Sequence, residues 1–259
     1  MQISFLGTGA NGGVPQLDCR CTQCENARLD PAAERLRSSL LIETGDHKII
    51  LDCGPDFRQQ LQRHHLNLQE IDLVVITHLH FDHAAGLMEL SCGNRLGIPI
   101  LASEANQALL RQKPEVNFLL DSGYIRLISP TLAQRYGVTL LDVPHDSSFP
   151  TSAIVVNHVG KRVWYSPDVH VITDAMLQAM QTCDLLIFDA TFLKESWKPG
   201  VTAKELGHLA IEQSAPILSA LNKRVIYSHI NHSEDTSAVK SFLKPFNSVL
   251  ASDGLTISL

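Results

Sequence analysis

The sequence predicts an α+β sandwich: two mixed β-sheets packed face to face with helices on their outer faces, an αββα layering. Three observations carry this. Strands arrive as hairpin pairs in each half, 38–43 with 48–52 around Gly45-Asp46 and 153–159 with 161–165 through Gly160. The other strands and helices lack the strict alternation of a doubly wound sheet. No Pro/Gly/Ser-rich linker separates the halves, so 1–259 reads as a single domain.

In chain order, QISFL at 2–6 is a short strand, followed by a glycine-rich loop from Gly7 to Gly13 and an irregular, cysteine-bearing stretch at about 14–37. After the first hairpin, 56–65 has helical character, DLVVIT at 72–77 is a buried strand, and 82–91 opens a helix. IPILA at 98–102 is a strand, and 103–112 is a helix capped by Ser103. Residues 124–128 and 137–143 are strands. The second hairpin leads to a helix at 173–182 and a strand at 184–188. Residues 202–221 are largely helical, 224–228 is a strand, 235–243 is the final helix, and 256–259 is a closing strand.

Composition narrows the function classes. With 44% apolar and 19% charged residues, the chain can bury a core and is not disordered. No run of 18 apolar residues exists, which excludes a membrane-spanning helix. The opening MQISFLG lacks the basic start and apolar run of a signal peptide, so a cytoplasmic location is the expectation. Lys+Arg total 21 against 27 Asp+Glu, a net charge of −6, and no basic run stands out. Binding to nucleic acid is driven by neutralising phosphates, so nucleic acid is not the expected partner.

Gly7-Thr8-Gly9-Ala10-Asn11-Gly12 matches the dinucleotide fingerprint G-x-G-x-x-G and follows a strand. That fingerprint needs a helix to open there, so that its amides meet the pyrophosphate. Gly13-Val14-Pro15 follows instead, so the glycines are read as serving a close approach of backbone to another element.

The strongest chemical signal is His78-Leu79-His80-Phe81-Asp82-His83, directly after DLVVIT. In extended chain, residues two apart point the same way, so His78 and His80 can serve one cation. A turn into helix would aim Asp82 and His83 at a second. Three histidines and an aspartate in six residues are costly to bury at a strand end unless an ion offsets their desolvation. Further ligands sit at other strand exits: His145 after VTLLDVP, Asp168 after KRVWYSP, and His229 after RVIYS. A carboxylate can bridge two ions through its two oxygens, which marks Asp168 as the bridge.

These residues, H-x-H-x-D-H with His145, Asp168 and His229, resemble the metallo-β-lactamase superfamily in order and spacing across almost the whole chain. The resemblance implies the αββα fold and a two-metal site. One ion would be held by His78, His80 and His145, the other by Asp82, His83 and His229, with Asp168 and a hydroxide between. It also places Asp52, in LLDCGPD, behind a ligand histidine as its orienting partner. Imidazole and carboxylate ligands suit zinc, manganese and iron alike.

Cys19-Arg20-Cys21-Thr22-Gln23-Cys24 is C-x-C-x-x-C, three thiolates suited to a structural zinc that lacks one ligand. The fourth can come from His232, three residues after His229. GTGANGGVPQLDCRCTQC is similar to the start of two branches of the superfamily, the PhnP-type phosphoribosyl cyclic phosphodiesterases and the PqqB-type proteins of pyrroloquinoline quinone synthesis. Resemblance to the PhnP type implies a zinc held by Cys19, Cys21, Cys24 and His232, and gives His208, in Leu206-Gly207-His208-Leu209, the role of catalytic acid. Asp82 joins His208 as a catalytic candidate, and His170 is a lesser one. His47, His64, His65 and His158 fall in turns or at a helix end and are expected to face solvent.

Four readings follow. A metal-dependent phosphodiesterase would hydrolyse a small, cyclic phosphodiester with a two-metal-activated hydroxide. A PqqB-like enzyme of cofactor biosynthesis is favoured by VPQLDCRC, GHLAIEQS, VIYSHINH and SDGLTISL, although PqqB chains are typically degenerate at the H-x-H-x-D-H positions that are complete here. A tRNA 3′-end processing nuclease would need a basic arm, and none is present. A thioester hydrolase fits the same ligands. Resemblance to the family also implies a homodimer.

Overall fold

A computed structural model describes residues 1–259. The first half supplies strands β1 (Gln2–Gly7), β2 (Ser39–Glu43), β3 (Lys48–Leu51), β4 (Leu73–Val75), β5 (Ile98–Leu101) and β6 (Ile125–Leu127). The second supplies β7 (Val138–Val143), β8 (Thr151–His158), β9 (Lys161–Ser166) and β10 (Leu185–Asp189), the small hairpin β11 (Ser196–Lys198) and β12 (Val201–Thr202), then β13 (Arg224–Ser228), β14 (Ser248–Leu250) and β15 (Thr256–Ser258). They form a seven-stranded sheet in the order β15-β1-β2-β3-β4-β5-β6 and a six-stranded sheet in the order β14-β13-β10-β9-β8-β7. Both sheets mix parallel and antiparallel pairs, as the hairpin-plus-helix pattern predicts.

The strand sequences are apolar on both faces because both faces are covered. Alternation sorts them: Leu40 and Ile42 of β2 join Val163 and Tyr165 of β9 in a core between the sheets. Leu41 and Trp164 point outward under the helices of their own sheets. Residues from both halves fill the inner core, which fixes one sheet against the other.

This topology also collects strand ends. β3, β4 and β5 run parallel in one sheet, and β9, β10 and β13 in the other. The residues that follow β3, β4, β9, β10 and β13 therefore emerge along one edge of the sandwich. A bond from the Ser152 amide to the Thr77 carbonyl, 3.0 Å, ties the two sheets there.

Several elements differ from expectation. The stretch read as irregular at 14–37 contains a helix, Thr22–Leu29, which buries only Cys24 and Ala27 and so shows no apolar stripe. Helices Pro114–Asp121 and Pro130–Ala133 each open with proline at the first turn, a start signal that the apolar pattern did not reinforce. The segment 82–91 is one α-turn, Phe81–Ala84, followed by a 3-10 helix, Ala85–Cys92. Pressure from Cys53 and Gly54 explains it: the Gly86 amide donates to the Cys53 carbonyl at 2.8 Å. Residues 202–221 are not one helix: a 3-10 turn, Lys204–Leu206, ends at left-handed Gly207, and the helix runs from Ile211 to Ser219. β4 stops at Val75, so His78 and His80 leave a strand rather than lie in it. β11, β12 and β14 were not anticipated. Ser103 does cap its helix, its hydroxyl accepting from the Asn106 amide at 3.2 Å.

The glycine-rich loop behaves as its chemistry requires. No helix opens before Thr22, and a Cβ on Gly7 would sit 2.1 Å from the Arg37 carbonyl oxygen. Gly54 is equally confined, 2.0 Å from the Asp82 carbonyl oxygen by the same construction. A Gly54→Ala substitution therefore has to push the Asp82 backbone away. We expect a loss of about 1–3 kcal/mol, read as a lower thermal midpoint, with weakened metal binding by titration. An unchanged midpoint would contradict this packing.

Candidate metal centre

The strand-exit rule brings the expected residues together. His78, His80 and His145 form one convergent group, and Asp82, His83 and His229 a second; Asp168 converges with His78 and His83, and again with His145 and His208. All but His80 are buried, and His80 keeps 26% of its side chain exposed. His83 Nε2 lies 3.2 Å from Asp82 Oδ2 and 3.0 Å from Asp168 Oδ2. His229 Nε2 lies 3.2 Å from Asp82 Oδ2 and 3.6 Å from Asp168 Oδ1, and His145 Nε2 lies 3.9 Å from Asp168 Oδ1. Asp168 thus faces members of both groups, the position of a bridge.

Each ring is held by its far nitrogen, which fixes the atom that faces inward. Asp52 orients two histidines. Its Oδ2 accepts from His83 Nδ1 at 2.8 Å, and its Oδ1 accepts the Thr77 hydroxyl at 2.9 Å. With that proton spent, Thr77 Oγ1 accepts from His78 Nδ1 at 3.0 Å. Asp189 repeats the device on the other sheet. Its Oδ1 takes the Thr191 hydroxyl at 2.7 Å, Thr191 Oγ1 accepts from His229 Nδ1 at 2.8 Å, and Oδ2 accepts from His208 Nδ1 at 2.7 Å. His145 Nδ1 donates to the Gly207 carbonyl at 2.7 Å. His80 is turned the other way: its Nε2 faces Asp146 Oδ2 at 2.9 Å, so its Nδ1 points inward.

Some inward atoms are then left without a satisfying partner, although His229 Nε2 reaches Asp82 Oδ2. His78 Nε2 and His80 Nδ1 meet at 2.8 Å, two lone pairs with no proton assigned between them. His83 Nε2 and Asp168 Oδ2 are fully enclosed, and although only 3.0 Å apart they do not meet in hydrogen-bond geometry. Buried polar atoms without partners are costly, and a cation relieves the cost at each of these atoms. The donor set of imidazoles and carboxylates therefore fits two divalent ions.

The electrostatics agree. Burial and the neighbouring His83 hold His78 well below its ordinary value, which keeps it neutral and able to donate a lone pair. Burial alone would push Asp168 up, yet His229 and His83 hold it well below the usual carboxylate range. Burial likewise opposes ionisation of Asp82, and the same two histidines outweigh it. Around His83, burial is overcome by Asp82, Asp52 and Asp168, and the ring is raised. Local backbone contributes too. Asp52 and His229 sit at φ +63° and +70°, a left-handed conformation uncommon outside glycine that recurs at functional sites.

Cys19, Cys21, Cys24 and His232 also converge. His232 Nδ1 lies 3.3, 3.6 and 3.7 Å from the three sulfurs, and all six cysteines of the chain are free. These four residues could hold one tetrahedral ion. His170 does not join either centre; its Nδ1 contacts the His145 carbonyl. Of the histidines expected in solvent, His65 is exposed, whereas His47, His64 and His158 are half-buried. Sequence reasoning missed Thr77, Asp146, Asp189, Thr191 and the Gly207 carbonyl. Asp189 stands at the end of β10, so the rule that found His145 and Asp168 could have found it.

A family model described as Beta-lactamase superfamily domain matches residues 47–230. Coenzyme PQQ synthesis protein B of Acinetobacter baumannii (strain AB0057) is 29% identical over all of both chains. The structure of zinc-bound PqqB from Methylobacterium extorquens superposes with a TM-score of 0.85 at 25% identity, covering all of both chains. A diphosphatase from the PhnP family gives 0.76 at 25% identity, over all of this chain and 97% of that one. Human tRNase Z, short form, gives 0.67 at 20% identity over 100% and 99%, a likeness of fold. With more than half of its length matched and its convergent histidines and aspartates at the strand exits, the chain belongs to the β-lactamase superfamily and has the metallo-β-lactamase fold.

Proposed function

We propose that the protein is a binuclear metal-dependent phosphodiesterase acting on a small diester. The observation that carries this reading is the complete inward-facing donor set, two groups joined by Asp168. When bound, two divalent cations supply Lewis-acid stabilisation of phosphoryl oxygens and a water acidic enough to attack. His78, His80 and His145 would hold one, Asp82, His83 and His229 the other, and Asp168 both. Cys19, Cys21, Cys24 and His232 would hold a structural zinc.

This chain's own residues do the rest. His208 is buried beside the centre, its ring stacked at 27° on His229, with Nδ1 fixed on Asp189. Burial opposes its charging, but Asp189 and then Asp168 raise it. Its Nε2 is left to face the pocket that it lines with Asp168 and Asn231. A water that has released one proton to solvent adds its oxygen to phosphorus, the P–O bond to the leaving arm breaks, and His208 donates its own proton to the departing alkoxide and is reprotonated from solvent. No lysine or arginine lines that pocket, which supports a small substrate over a polynucleotide. No helix is long and apolar enough to cross a membrane, and we keep the cytoplasm as the proposed location. The shared core and a site drawn from both halves support one domain over 1–259.

Full-length similarity to PqqB favours a second reading, a PqqB-like enzyme of cofactor biosynthesis. Elemental analysis and hydrolysis of bis-p-nitrophenyl phosphate separate the two. Two active-site ions and turnover well above a His80→Ala control are expected. A single redox-active iron without turnover would favour the second reading.

A further inference from the structure

The glycine turn that follows β1 borders the metal centre. Ala10, Asn11 and Gly12 line the same pocket as Asp82, Asp168 and His208, a space of about 380 Å³. The turn is stitched to the segment that presents His229. The Ala10 amide donates to the Ile230 carbonyl and the Ile230 amide to the Thr8 carbonyl, each at 2.9 Å. The Gly13 amide closes the turn on the Ala10 carbonyl at 2.8 Å. Asn11 and Gly12 are thus its two central residues, and their amides make no hydrogen bond within the protein.

Both amides are aimed by their own peptide planes, because in a trans peptide the N–H points opposite to the C=O. Arg37 Nε donates to the Asn11 carbonyl at 2.9 Å, and its guanidinium is itself held by Asp56, Nη1 to Oδ1 at 2.9 Å. Arg37 is not a wall of the pocket, so it draws the Asn11 carbonyl away and turns the Gly12 N–H inward. The Ala10 carbonyl, taken by Gly13, sends the Asn11 N–H out of the turn in the same way. In the same pocket, Asn231 Oδ1 accepts from the Ser233 amide and hydroxyl at 3.0 and 2.9 Å, which leaves Nδ2 as a third free donor. Adjacent free backbone amides bind anions, and a guanidinium on the carbonyl of a peptide sharpens that peptide's N–H as a donor. We propose that the Asn11 and Gly12 amides hold a phosphoryl oxygen of the substrate, with Arg37 as their positioning residue. This oxyanion subsite rests on the phosphodiesterase reading above.

Asn11→Pro tests this, because it deletes the amide at the first central position of a turn, where proline is favoured. Asn11→Ala keeps the amide and measures the side chain's own share. On the metal-loaded protein, the proline variant should show a KM for bis-p-nitrophenyl phosphate about tenfold above that of the alanine variant, the loss lying in KM rather than kcat. Calorimetric titration with inorganic phosphate should weaken by a similar factor. Arg37→Gln should move KM and phosphate affinity the same way with its active-site ions retained. A proline variant that matches the alanine variant overturns the proposal, as does a loss confined to kcat, which would mark a disturbed metal centre. If Asn11→Pro lowers the thermal midpoint, Arg37→Gln decides: unchanged KM and phosphate affinity there overturn the proposal. If the unaltered protein cleaves no diester, the phosphodiesterase reading fails. Phosphate binding that Asn11→Pro weakens would still sustain the oxyanion subsite, and binding that is absent or unaffected would overturn it.

Discussion

Asp168→Asn is expected to lower phosphodiester turnover by about 10³-fold or more while leaving the fold intact, the largest catalytic effect of any single change in the chain. The side chain keeps its shape but loses the charge that faces His83 at 3.0 Å and His229 at 3.6 Å. An amide offers one acceptor oxygen in place of two, so it cannot join both ligand groups. Metal content should therefore fall together with activity, from two active-site ions toward one, with far-ultraviolet circular dichroism unchanged. Thr191→Val supplies the comparison: it removes the hydroxyl that links Asp189 to His229 Nδ1 and also reaches the His229 carbonyl, and a loss of about 10–100-fold is expected. A full complement of ions and near-native turnover in Asp168→Asn would contradict the bridge.

The contrast between Asp168 and Thr191 also marks how far the sequence was legible. The ligands could be read because they obey local rules: H-x-H-x-D-H is contiguous, and His145, Asp168 and His229 each follow an apolar strand. The sandwich followed from its hairpins for the same reason. Supporting partners obey no such rule. The acceptor behind His145 is the Gly207 carbonyl, 62 residues away, and a backbone oxygen leaves no trace in composition. Asp146 is adjacent to His145 but serves His80, a pairing set by how the sheets meet. The helix Thr22–Leu29 was illegible because its buried face is chosen by a cysteine cluster rather than by an apolar stripe. Likewise the break at Gly207 looked like helix interior, yet its left-handed turn is what sets His208 beside Asp189.

That cysteine cluster carries the second large effect. Cys24→Ser should remove one ion per chain and lower the thermal midpoint markedly. An ion held at about a thousand times its dissociation constant contributes about 4 kcal/mol to the folded state. At this chain length, that corresponds to a fall of roughly 8–16 °C. The damage should also reach the catalytic centre, because the two sites share walls. The Gln16 amide donates to Cys24 Sγ at 3.3 Å, and Gln16 lines the metal-centre pocket. On the other side, His232 follows His229 by three residues, and the Ile230 carbonyl accepts the Ala10 amide at 2.9 Å beneath the glycine loop. Releasing His232 from the sulfurs frees one end of the segment that presents His229. Partial loss of turnover is therefore expected in Cys24→Ser even when the two active-site ions are supplied in excess. A variant that loses its third ion while keeping its thermal midpoint would show that the four residues do not brace the fold, and full activity would show that the two centres are independent.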